Sequence, residues 1–505
     1  MRSRDDRAVL TEAFPLQINP FSLSLRPAIG GRNGAIASAH PLATGVGQHV
    51  LACGGSAVDA VIAAQAMLAV VSPDACGLGG DGLISVHAPG QAQVAINGAG
   101  PSAEMAETFV TTGGGSVAVP GLVDCWAQMH TRWGRLDLSE TLAPAIEAAE
   151  AGVIVSQALA DARRAQRTRL LAGGAADWEL MTLEAGELFR QPALARVLRD
   201  IARDGSAAFY SGRLATAIAR TVRQSGGALS VADLARPAAV VGAPISLKFG
   251  SAVVHVQPPA SQGILLVLAL HGWLRGGYGA RAPLAHLGVE LTQAAFSLRD
   301  EVAQGVGLLD QLPVIDPDRA AGRGGPRAYL HTAGVAAADA SGLVAASLVS
   351  VFDDFGSAVF VPEGGFTLNN RAGGFTGGGN AFAPGKRPIH TLAPIVVEMD
   401  GKVVAMSTPG ADGQVQTLLQ ILLDWLVCGR PLPEAVAAPR WRSENNRLLV
   451  ESGHPEREDL IRRGHDVVDV PAGDMRFGAI TMAGTWDGQP FALGDWRRMT
   501  WAGVA

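Results

Sequence analysis

The chain has 505 residues, of which 48% are hydrophobic and only 17% are charged, and its formal net charge is −6. This composition excludes an intrinsically disordered protein, because so apolar a chain can bury enough surface to offset the entropy of ordering. Lys and Arg, 40 in all, are outnumbered by 46 Asp and Glu residues, which argues against a nucleic-acid partner. The length allows one large domain or two to three ordinary ones.

The cysteines and the N-terminal sequence give information about the cellular compartment of the protein. The four cysteines, Cys53, Cys76, Cys125 and Cys428, form no CxxC pair, so a reducing compartment is the simpler interpretation. Residues 1–21 carry charges but no apolar run of seven residues or more, which argues against a secretory signal peptide. The longest apolar helix candidate is too short to span a bilayer. We therefore predict a cytoplasmic protein without a membrane partner.

The N-terminal part of the chain is predicted to form an arm followed by strands and helices. Residues 1–33 lack periodicity and are interpreted as a loosely attached N-terminal arm. The pattern then predicts a strand over 35–38 and a helix over 45–55 that ends at a glycine pair. A uniformly apolar, and hence buried, helix is predicted over 57–71, and a strand over 83–88.

The rest of the chain changes from helical to strand-like. Residues 133–235 have a helical composition, and a further apolar helix is predicted over 263–274. Beyond residue 325 strands dominate, and Asp-containing turns at 339–342 and 400–401 indicate two β-hairpins. A helix over 414–429 and strands near the C-terminus complete the pattern. Strands that come in hairpins favour antiparallel sheets with helices packed outside them.

Common catalytic motifs are absent or misplaced. GLGGDG at 77–82 fits GxGxxG, but a helix precedes it and a strand follows it, so we interpret it as a structural turn and not as a nucleotide site. The sequence contains no GxxxxGK[ST], no HExxH and no GxSxG. These absences argue against a P-loop, a zinc-protease helix and a serine-hydrolase nucleophile elbow. The 11 histidines are scattered, so we predict no metal site.

Several short blocks in a fixed order carry a family resemblance. Thr332 stands at the head of the first hairpin, in YLHTAG at 329–334. Together with the blocks on either side of it, this segment resembles the gamma-glutamyltranspeptidase family of N-terminal-nucleophile hydrolases over about residues 34–500. The other matching blocks are ASAHPLA (37–43), GGSAVDA (54–60), GLGGDG (77–82), SVAVPG (116–121), FGS (355–357), LNN (368–370), KRP (386–388) and PG (409–410).

The resemblance implies a fold and a maturation step. The expected fold is α+β, a four-layer αββα sandwich of the N-terminal-nucleophile hydrolase type. The expected precursor is a zymogen that cleaves itself between His331 and Thr332. The products would be a large subunit, 34–331, preceded by the arm 1–33, and a small subunit, 332–505. The two subunits would stay together as a heterodimer. The resemblance implies a small-molecule amide or acyl-amide substrate and no metal or organic cofactor.

The resemblance also implies roles for four residues. Thr332 would be the processing nucleophile and then the catalytic nucleophile, with its freed α-amine, of pKa about 7.7–8.0, as its general base. Ser350 matches a family hydroxyl that hydrogen-bonds near the nucleophile, although a structural strand serine is the alternative. Gly410 and Ala411 fall in the family's oxyanion-hole turn, where backbone N–H groups are the donors, so alanine is tolerable if its φ is accessible.

The residues by which family transpeptidases hold a glutamyl group are missing. An arginine binds the α-carboxylate there, yet no arginine lies between Arg32 and Arg132 of this chain. Acidic residues after the Asn pair bind the α-amine, and here Gly373 and Gly374 occupy those positions. Phe352 replaces an asparagine, and the substrate lid before KRP is short.

Three residues near these departures are candidates for substrate binding. Arg371 lies beside the vacated acidic positions and either pairs with a substrate carboxylate or serves as a solvated or supporting arginine. His390 and Thr391 replace the paired serines after KRP, and His390 either contacts substrate or packs as a loop histidine. Arg387 is interpreted as structural, because the family has an arginine there whatever the substrate.

The sequence leaves three functions open. The first is an autoprocessed N-terminal-threonine amidohydrolase or acyltransferase for an acyl group other than glutamyl. Similar family branches act on small acids such as oxamate and on the side chains of β-lactam acyl derivatives. The second is a true gamma-glutamyl hydrolase or transpeptidase with a changed substrate clamp. The third is an inactive, unprocessed member, which Ala333 and Gly334 allow because the family usually has Thr-His after the nucleophile.

Overall fold

The computed structural model describes residues 24–323 and 332–505, so His331, predicted to precede the cleaved bond, lies outside the described residues. The α-helices are α1 (Pro41–Ala52), α2 (Ala57–Val71), α3 (Leu122–Trp133), α4 (Leu138–Ala151), α5 (Gln157–Ala172), α6 (Pro192–Asp204), α7 (Ala207–Tyr210), α8 (Gly212–Gln224), α9 (Val231–Leu234), α10 (Gly263–Arg275), α11 (Leu284–Phe296), α12 (Gly413–Leu422), α13 (Leu432–Ala437) and α14 (Arg457–Arg462). Across both described ranges, no helix combines the length and apolar composition needed to cross a bilayer.

The strands are short and spread over the whole described chain. They are β1 (Ile29–Gly30), β2 (Gly34–Ser38), β3 (Asp81–His87), β4 (Val94–Asn97), β5 (Val153–Ile154), β6 (Leu188–Phe189), β7 (Val240–Gly242), β8 (Ile245–Phe249), β9 (Ala252–Val256), β10 (Ala333–Asp339), β11 (Val344–Ser350), β12 (Phe360–Val361), β13 (Phe366–Thr367), β14 (Ile395–Met399), β15 (Lys402–Ser407), β16 (Trp441–Glu444), β17 (Arg447–Glu451), β18 (Val467–Val470), β19 (Thr481–Trp486), β20 (Gln489–Gly494) and β21 (Trp501–Val504).

Two large antiparallel sheets form the centre of the fold. The strand order is β21-β2-β10-β11-β3-β4-β7 in the first sheet and β1-β20-β19-β15-β14-β9-β8 in the second. The two hairpins expected from their turns are central pairs: β10 with β11 in the first sheet, and β14 with β15 in the second. The antiparallel arrangement follows the hairpin pattern of the sequence.

The sheets pack face to face, and helices cover their outer faces. Small side chains from both sheets meet in the middle, mainly Ala35, Ala37, Ala336, Ala338, Ala346, Ala405, Ala483 and Ala492. The first sheet packs its other face against α2 and the helices around it, and the second packs against α10, α11 and α12. The predicted α+β four-layer αββα sandwich is confirmed.

Local signals explain where several elements begin. Helix α1 starts before its predicted first residue, because Pro41 fits the first helical position and the His40 side chain accepts a backbone N–H bond there. Ser56 and Asp59 form a capping box that starts α2 at its predicted residue. Strand β3 starts two residues earlier than predicted, so that Asp81 belongs to the sheet and not to the glycine turn.

The chain segments before and after the undescribed residues 324–331 contribute to both sheets. In the first sheet, β10 and β11 lie between β2 and β3; in the second, β20, β19, β15 and β14 lie between β1 and β9. The end of the predicted arm takes part as well, because Ile29 pairs with Ala492. Backbone hydrogen bonds therefore connect the two segments at several places, independently of the covalent link between them.

Candidate active site

Thr332 lies buried at the start of β10, beside the end of β11. Ala333 pairs in register with Val349, which places Thr332 opposite Ser350 on the neighbouring strand. Thr332 Oγ1 donates to Ser350 Oγ, with 3.5 Å between the two oxygens, and Thr332 is 6% exposed. Ser350 Oγ also accepts a 2.9 Å bond from the N–H of Phe352. The structure thus brings the candidate nucleophile and its candidate partner hydroxyl together.

Gly334 allows β10 to approach the second sheet closely. A Cβ built at this residue would lie 2.7 Å from Thr481 Oγ1 and 2.8 Å from Ser407 Oγ, and real Cβ atoms do not come so close. These two hydroxyls hydrogen-bond to each other at 2.6 Å. Since Ser407 ends β15, the approach sets the head of β10 beside the turn that follows β15. Residue 334 is therefore a glycine for a steric reason: no larger residue fits between β10 and the end of β15.

We expect Gly334→Ala to displace the candidate nucleophile although the substitution removes no functional group. The added Cβ must push the head of β10 away from the end of β15, and a displacement of about 1 Å at a reacting centre costs about 100-fold in rate. Adding Ser407→Ala and Thr481→Ala removes both hydroxyls and should restore most of the rate. The measurement is kcat/KM for amide hydrolysis, with the Ser407→Ala, Thr481→Ala pair as the control. Equal rates for wild type and Gly334→Ala would contradict the steric argument.

The turn after β15 contains two residues in the left-handed region. Gly410 has a φ of 119°, which suits glycine, and Ala411 has a φ of 49°, which alanine can adopt. The Gly410 carbonyl accepts from Arg442 Nη1 at 3.2 Å, and the Ala411 carbonyl accepts from Gln262 Nε2 at 2.9 Å. Within residues 24–323 and 332–505, the N–H groups of Gly410 and Ala411 donate to no protein acceptor. Unbonded N–H groups on a fixed turn are suited to bind an oxyanion.

A buried cluster of Asp81, Arg371 and His390 lies one strand beyond Ser350. Asp81 opens β3 and pairs in register with Ser350. Its Oδ2 accepts from Arg371 Nε at 2.6 Å and from His390 Nε2 at 3.2 Å, and all three side chains are fully buried. The Leu392 N–H donates to His390 Nδ1 at 3.1 Å. Because Nδ1 is an acceptor, the imidazole proton is assigned to Nε2.

Asn369 and the stacking of Phe352 hold Arg371 in this position. Asn369 Oδ1 accepts from the Arg371 N–H at 3.0 Å, and Asn369 Nδ2 donates to the Gly79 carbonyl at 3.0 Å. The guanidinium carbon then lies 4.4 Å from the centroid of the Phe352 ring, a cation–π contact. The ring of Phe352 therefore supports a cation here.

Burial and neighbouring charges set the protonation states of the cluster. Burial alone would raise the pKa of Asp81, but the Arg371 guanidinium and the His390 hydrogen bond outweigh it and hold that pKa below its ordinary value. Burial, reinforced by the positive charge of Arg371, lowers the pKa of His390 to about 4. At neutral pH Asp81 is charged and His390 is neutral, which agrees with a single proton on Nε2.

We expect His390 to make the protein less stable as the pH falls from about 6.5 to about 4. In this window the unfolded state binds a proton that the folded state, with its lowered pKa, does not bind; the loss amounts to about 2–3 kcal/mol near pH 4.5. The measurement is urea unfolding at pH 7 and pH 4.5 for wild type and His390→Asn. The variant should lose less free energy of unfolding between the two pH values. His454 and His465, whose pKa values are also lowered to about 4 by burial, contribute equally to both proteins. Equal losses would contradict the prediction.

A second titratable cluster, His286, Glu290 and His465, lies on and near α11. Its three ligand-type atoms are within 4.8 Å of one another. His286 Nδ1 and His465 Nε2 are hydrogen-bonded at 2.8 Å, and the Glu290 oxygens accept from the Ala321 N–H at 3.1 Å and from Arg323 Nη1 at 2.7 Å. Both carboxylate oxygens are already bonded within the protein, so Glu290 anchors residues 321–323 to α11.

Comparison with known proteins assigns the chain to a family. The family description Gamma-glutamyltranspeptidase matches residues 43–504. The chain belongs to the gamma-glutamyltranspeptidase family. This match confirms the resemblance found in the sequence. Membership of the family makes the chain an enzyme of the amide-hydrolysing class.

Relatives within the gamma-glutamyltranspeptidase family include several proenzymes. The chain is 32% identical to the oxamate amidohydrolase proenzyme of Klebsiella pneumoniae, over 81% of this chain and 85% of that protein. It is 30% identical to the acylase ACY 1 proenzyme of Pseudomonas sp. strain SE83, over 94% and 96%. Among solved structures, the cephalosporin acylase from Bacillus halodurans superposes with a TM-score of 0.86 at 25% identity, over 95% and 97% of the two chains.

Arg387 and Thr391, two further residues singled out by the gamma-glutamyltranspeptidase resemblance, take part in contacts with backbone carbonyls. Arg387 Nη1 donates to the carbonyls of Ala99 and Ala238, in keeping with its interpretation as structural. The Thr391 carbonyl accepts from Gln262 Nε2 at 2.6 Å. The same amide group binds the Ala411 carbonyl, so Gln262 ties the Thr391 segment to the turn after β15.

Sequence reasoning missed Asp81, Gln262 and Arg442. The sequence pattern predicts Asp81 in the glycine turn, although a single carboxylate in front of an apolar strand is a usable signal for a buried charge. Gln262 and Arg442 act through backbone carbonyls of Gly410 and Ala411, far away in sequence. No local pattern marks such contacts.

Proposed function

We propose that this chain is a proenzyme that cleaves itself between His331 and Thr332 and then hydrolyses an amide through an acyl-enzyme on Thr332. The observation that carries the proposal is the placement of Thr332: buried, bonded to Ser350, at the head of β10 and beside the turn with unbonded N–H groups. The relatives named as proenzymes support a maturation step of this kind.

Maturation in this proposal is an N→O acyl shift followed by hydrolysis. Thr332 Oγ1 attacks the carbonyl carbon of His331, the C–N bond breaks, and the nitrogen takes up the hydroxyl proton to become the α-amine of Thr332. The resulting ester links His331 to the threonine oxygen. Water then hydrolyses the ester, which leaves a carboxylate on His331 and restores the Thr332 hydroxyl.

Catalysis reuses the same hydroxyl with the new amine as its base. The α-amine accepts the Oγ1 proton while Oγ1 attacks the carbonyl carbon of the substrate amide. The N–H groups of Gly410 and Ala411 stabilise the oxyanion, and each such donor is worth about 100- to 1,000-fold in kcat. The ammonium group returns the proton to the leaving nitrogen, the C–N bond breaks, and water or an acceptor amine takes the acyl group from Thr332. Ser350 orients the hydroxyl.

The acyl group in this proposal is not glutamyl. Gly373 and Gly374 stand where the family's amine-binding acids would be, and the block that should carry its carboxylate-binding arginine has none. Loss of both ends of such an ionic clamp lowers the affinity for a zwitterionic head group by orders of magnitude. The oxamate amidohydrolase and acylase names among the relatives agree with a non-glutamyl acyl group, so we assign an amidohydrolase or acylase activity in place of transpeptidation of glutathione-like substrates.

Intact-mass spectrometry with N-terminal sequencing of the purified protein tests the proposal. We expect two chains, the lighter beginning Thr332-Ala333-Gly334, which elute together because both segments contribute strands to both sheets. A chain that stays whole for days would overturn the proposal and favour the inactive, unprocessed alternative. Faster turnover of γ-glutamyl-4-nitroanilide than of 4-nitroanilides of other acids would overturn the choice of acyl group alone.

A further inference from the structure

The cluster beside α11 combines three side chains of the types that bind zinc. His286 and Glu290 are four residues apart on α11, so their side chains lie on the same face of the helix, and both are fully buried. His465 comes from the loop between α14 and β18, 179 residues after His286. Two imidazoles and one carboxylate form one of the ligand sets by which proteins hold Zn²⁺, with a fourth position left to water.

The distances within the cluster are close to those of a zinc site. His286 Nδ1 and His465 Nε2 are 2.8 Å apart, and no two of the three ligand-type atoms are separated by more than 4.8 Å. A tetrahedral ion with bonds of about 2.0–2.1 Å holds its ligand atoms about 3.3 Å from one another. The two ring nitrogens therefore need to separate by about 0.5 Å and the carboxylate to move inward by about 1.5 Å at most. Small rotations of the three side chains suffice for this.

The outer contact of His286 directs a lone pair into the cluster. His286 Nε2 lies 3.1 Å from the Asp316 carbonyl oxygen. A carbonyl oxygen only accepts, so Nε2 carries the ring proton and Nδ1 presents its lone pair to His465. Histidines that bind a metal almost always donate their other ring N–H to a carbonyl or a carboxylate, which fixes the ring. His286 has this arrangement.

Glu290 is also held as a metal-binding carboxylate is held. Its bonds from the Ala321 N–H and from Arg323 use two of the about four lone-pair sites of a carboxylate, and ligating carboxylates are themselves hydrogen-bonded. Arg463, the other cation near the cluster, is paired with Asp459 at 2.6 Å. The Arg323 side chain is 22% exposed, so solvent reaches the edge of the cluster there and gives an ion a path of entry.

We propose that His286, Glu290 and His465 bind one Zn²⁺ ion with a structural role. The ion joins α11, the segment that ends at residue 323 and the loop between α14 and β18. Two of its ligands precede residues 324–331 and the third follows them, so after the proposed cleavage the ion links the two chains. The sequence predicted no metal site because the third ligand is remote from the other two. The site itself does not depend on cleavage, which intact mass measures separately.

Metal titration of the full-length protein tests the inference. After treatment with EDTA and dialysis, wild type should bind one Co²⁺ per chain with the visible absorption of a four-coordinate ion, and Zn²⁺ should displace it. The near-ultraviolet band of a thiolate ligand should be missing, because no cysteine belongs to the cluster. Zn²⁺ should raise the melting temperature, since it binds the folded state, and EDTA should reverse the rise. Wild type that binds no Co²⁺ in this way, or whose melting temperature Zn²⁺ leaves unchanged, would overturn the inference.

Three variants locate the ion. His465→Gln should weaken Co²⁺ binding by about 100-fold or more and abolish the effect of Zn²⁺ on the melting temperature. His130→Gln is the matched control: His130 Nε2 also contacts a backbone carbonyl, that of Leu136 at 2.8 Å, and this variant should bind metal as wild type does. Cys53→Ser removes the thiol 3.7 Å from His49 Nε2 on α1 and should also bind as wild type does. If Cys53→Ser loses the ion and His465→Gln keeps it, the inference is wrong.

Limited proteolysis of wild type covers the case in which His465→Gln does not fold. Trypsin cleaves after arginine, and Arg319 is exposed in the segment that Glu290 and His286 hold through Ala321 and Asp316. Zn²⁺ should slow cleavage after Arg319 by about 10-fold relative to EDTA-treated protein, because it stabilises the closed state of this segment. Equal rates with Zn²⁺ and with EDTA would overturn the inference.

Discussion

Replacing Thr332 by alanine is expected to give a single uncleaved chain without amide-hydrolase activity. Without the hydroxyl, neither the acyl shift nor the acyl-enzyme can form, and removal of a nucleophile of this kind lowers kcat by about 10⁴-fold or more. The fold should persist, because the change removes only a hydroxyl and a methyl group and keeps the Cβ of a residue that precedes β10. Intact mass, turnover of an amide substrate and the melting temperature together measure the effect.

Two variants control for the loss of a threonine as such. Thr216→Ala removes an exposed hydroxyl on α8 that bonds to the Gly212 carbonyl at 2.8 Å, and it should be cleaved and fully active. Thr332→Ser keeps the hydroxyl and should be both cleaved and active. A Thr332→Ala protein that is still cleaved and still turns over substrate would show that another residue is the nucleophile.

The elements of the fold were predictable wherever the signal was local. Helix α2 has an unbroken apolar run behind a capping box, and its predicted bounds agree with the structure. The hairpins β10–β11 and β14–β15 follow from their turns. The pairing of β2 with β10, which joins Ser38 to Val335, was not predictable, because the partners come from chain segments on either side of residues 324–331 and each strand is buried on both faces. Sheet order is decided by packing of whole layers.

At the candidate site, too, contacts within one hairpin were predictable and contacts between distant segments were not. Thr332 and Ser350 come from one hairpin, so a motif and its register are enough to place them together. Arg371 and His390 could be named as substrate candidates from their positions in family blocks, but their shared partner, Asp81, comes from a strand about 290 residues earlier. Which groups share a buried carboxylate depends on tertiary contacts, and these leave no mark on the nearby sequence.

Removing the carboxylate of Asp81 is expected to be the most destabilising single change at the site. Asp81→Ala leaves the Arg371 guanidinium buried without its counter-ion and His390 Nε2 without its acceptor. Breaking a buried ion pair by deleting one partner costs about 3–5 kcal/mol of the free energy of unfolding, because the remaining charge stays desolvated. Urea unfolding of wild type and Asp81→Ala measures the loss. Asp204→Ala, which removes an exposed partner of Arg203, should lower the free energy of unfolding far less, because solvent screens that pair.

The double variant separates the cost of an unpaired charge from the cost of lost packing. In Asp81→Ala, Arg371→Met the buried cation is replaced by an apolar side chain of similar length, so the double variant should be more stable than Asp81→Ala alone. If Asp81→Ala costs no more than Asp204→Ala, the ion pair is not the stabilising contact that its 2.6 Å geometry indicates. If the double variant is no more stable than Asp81→Ala alone, the loss in Asp81→Ala comes from packing and not from an unpaired charge.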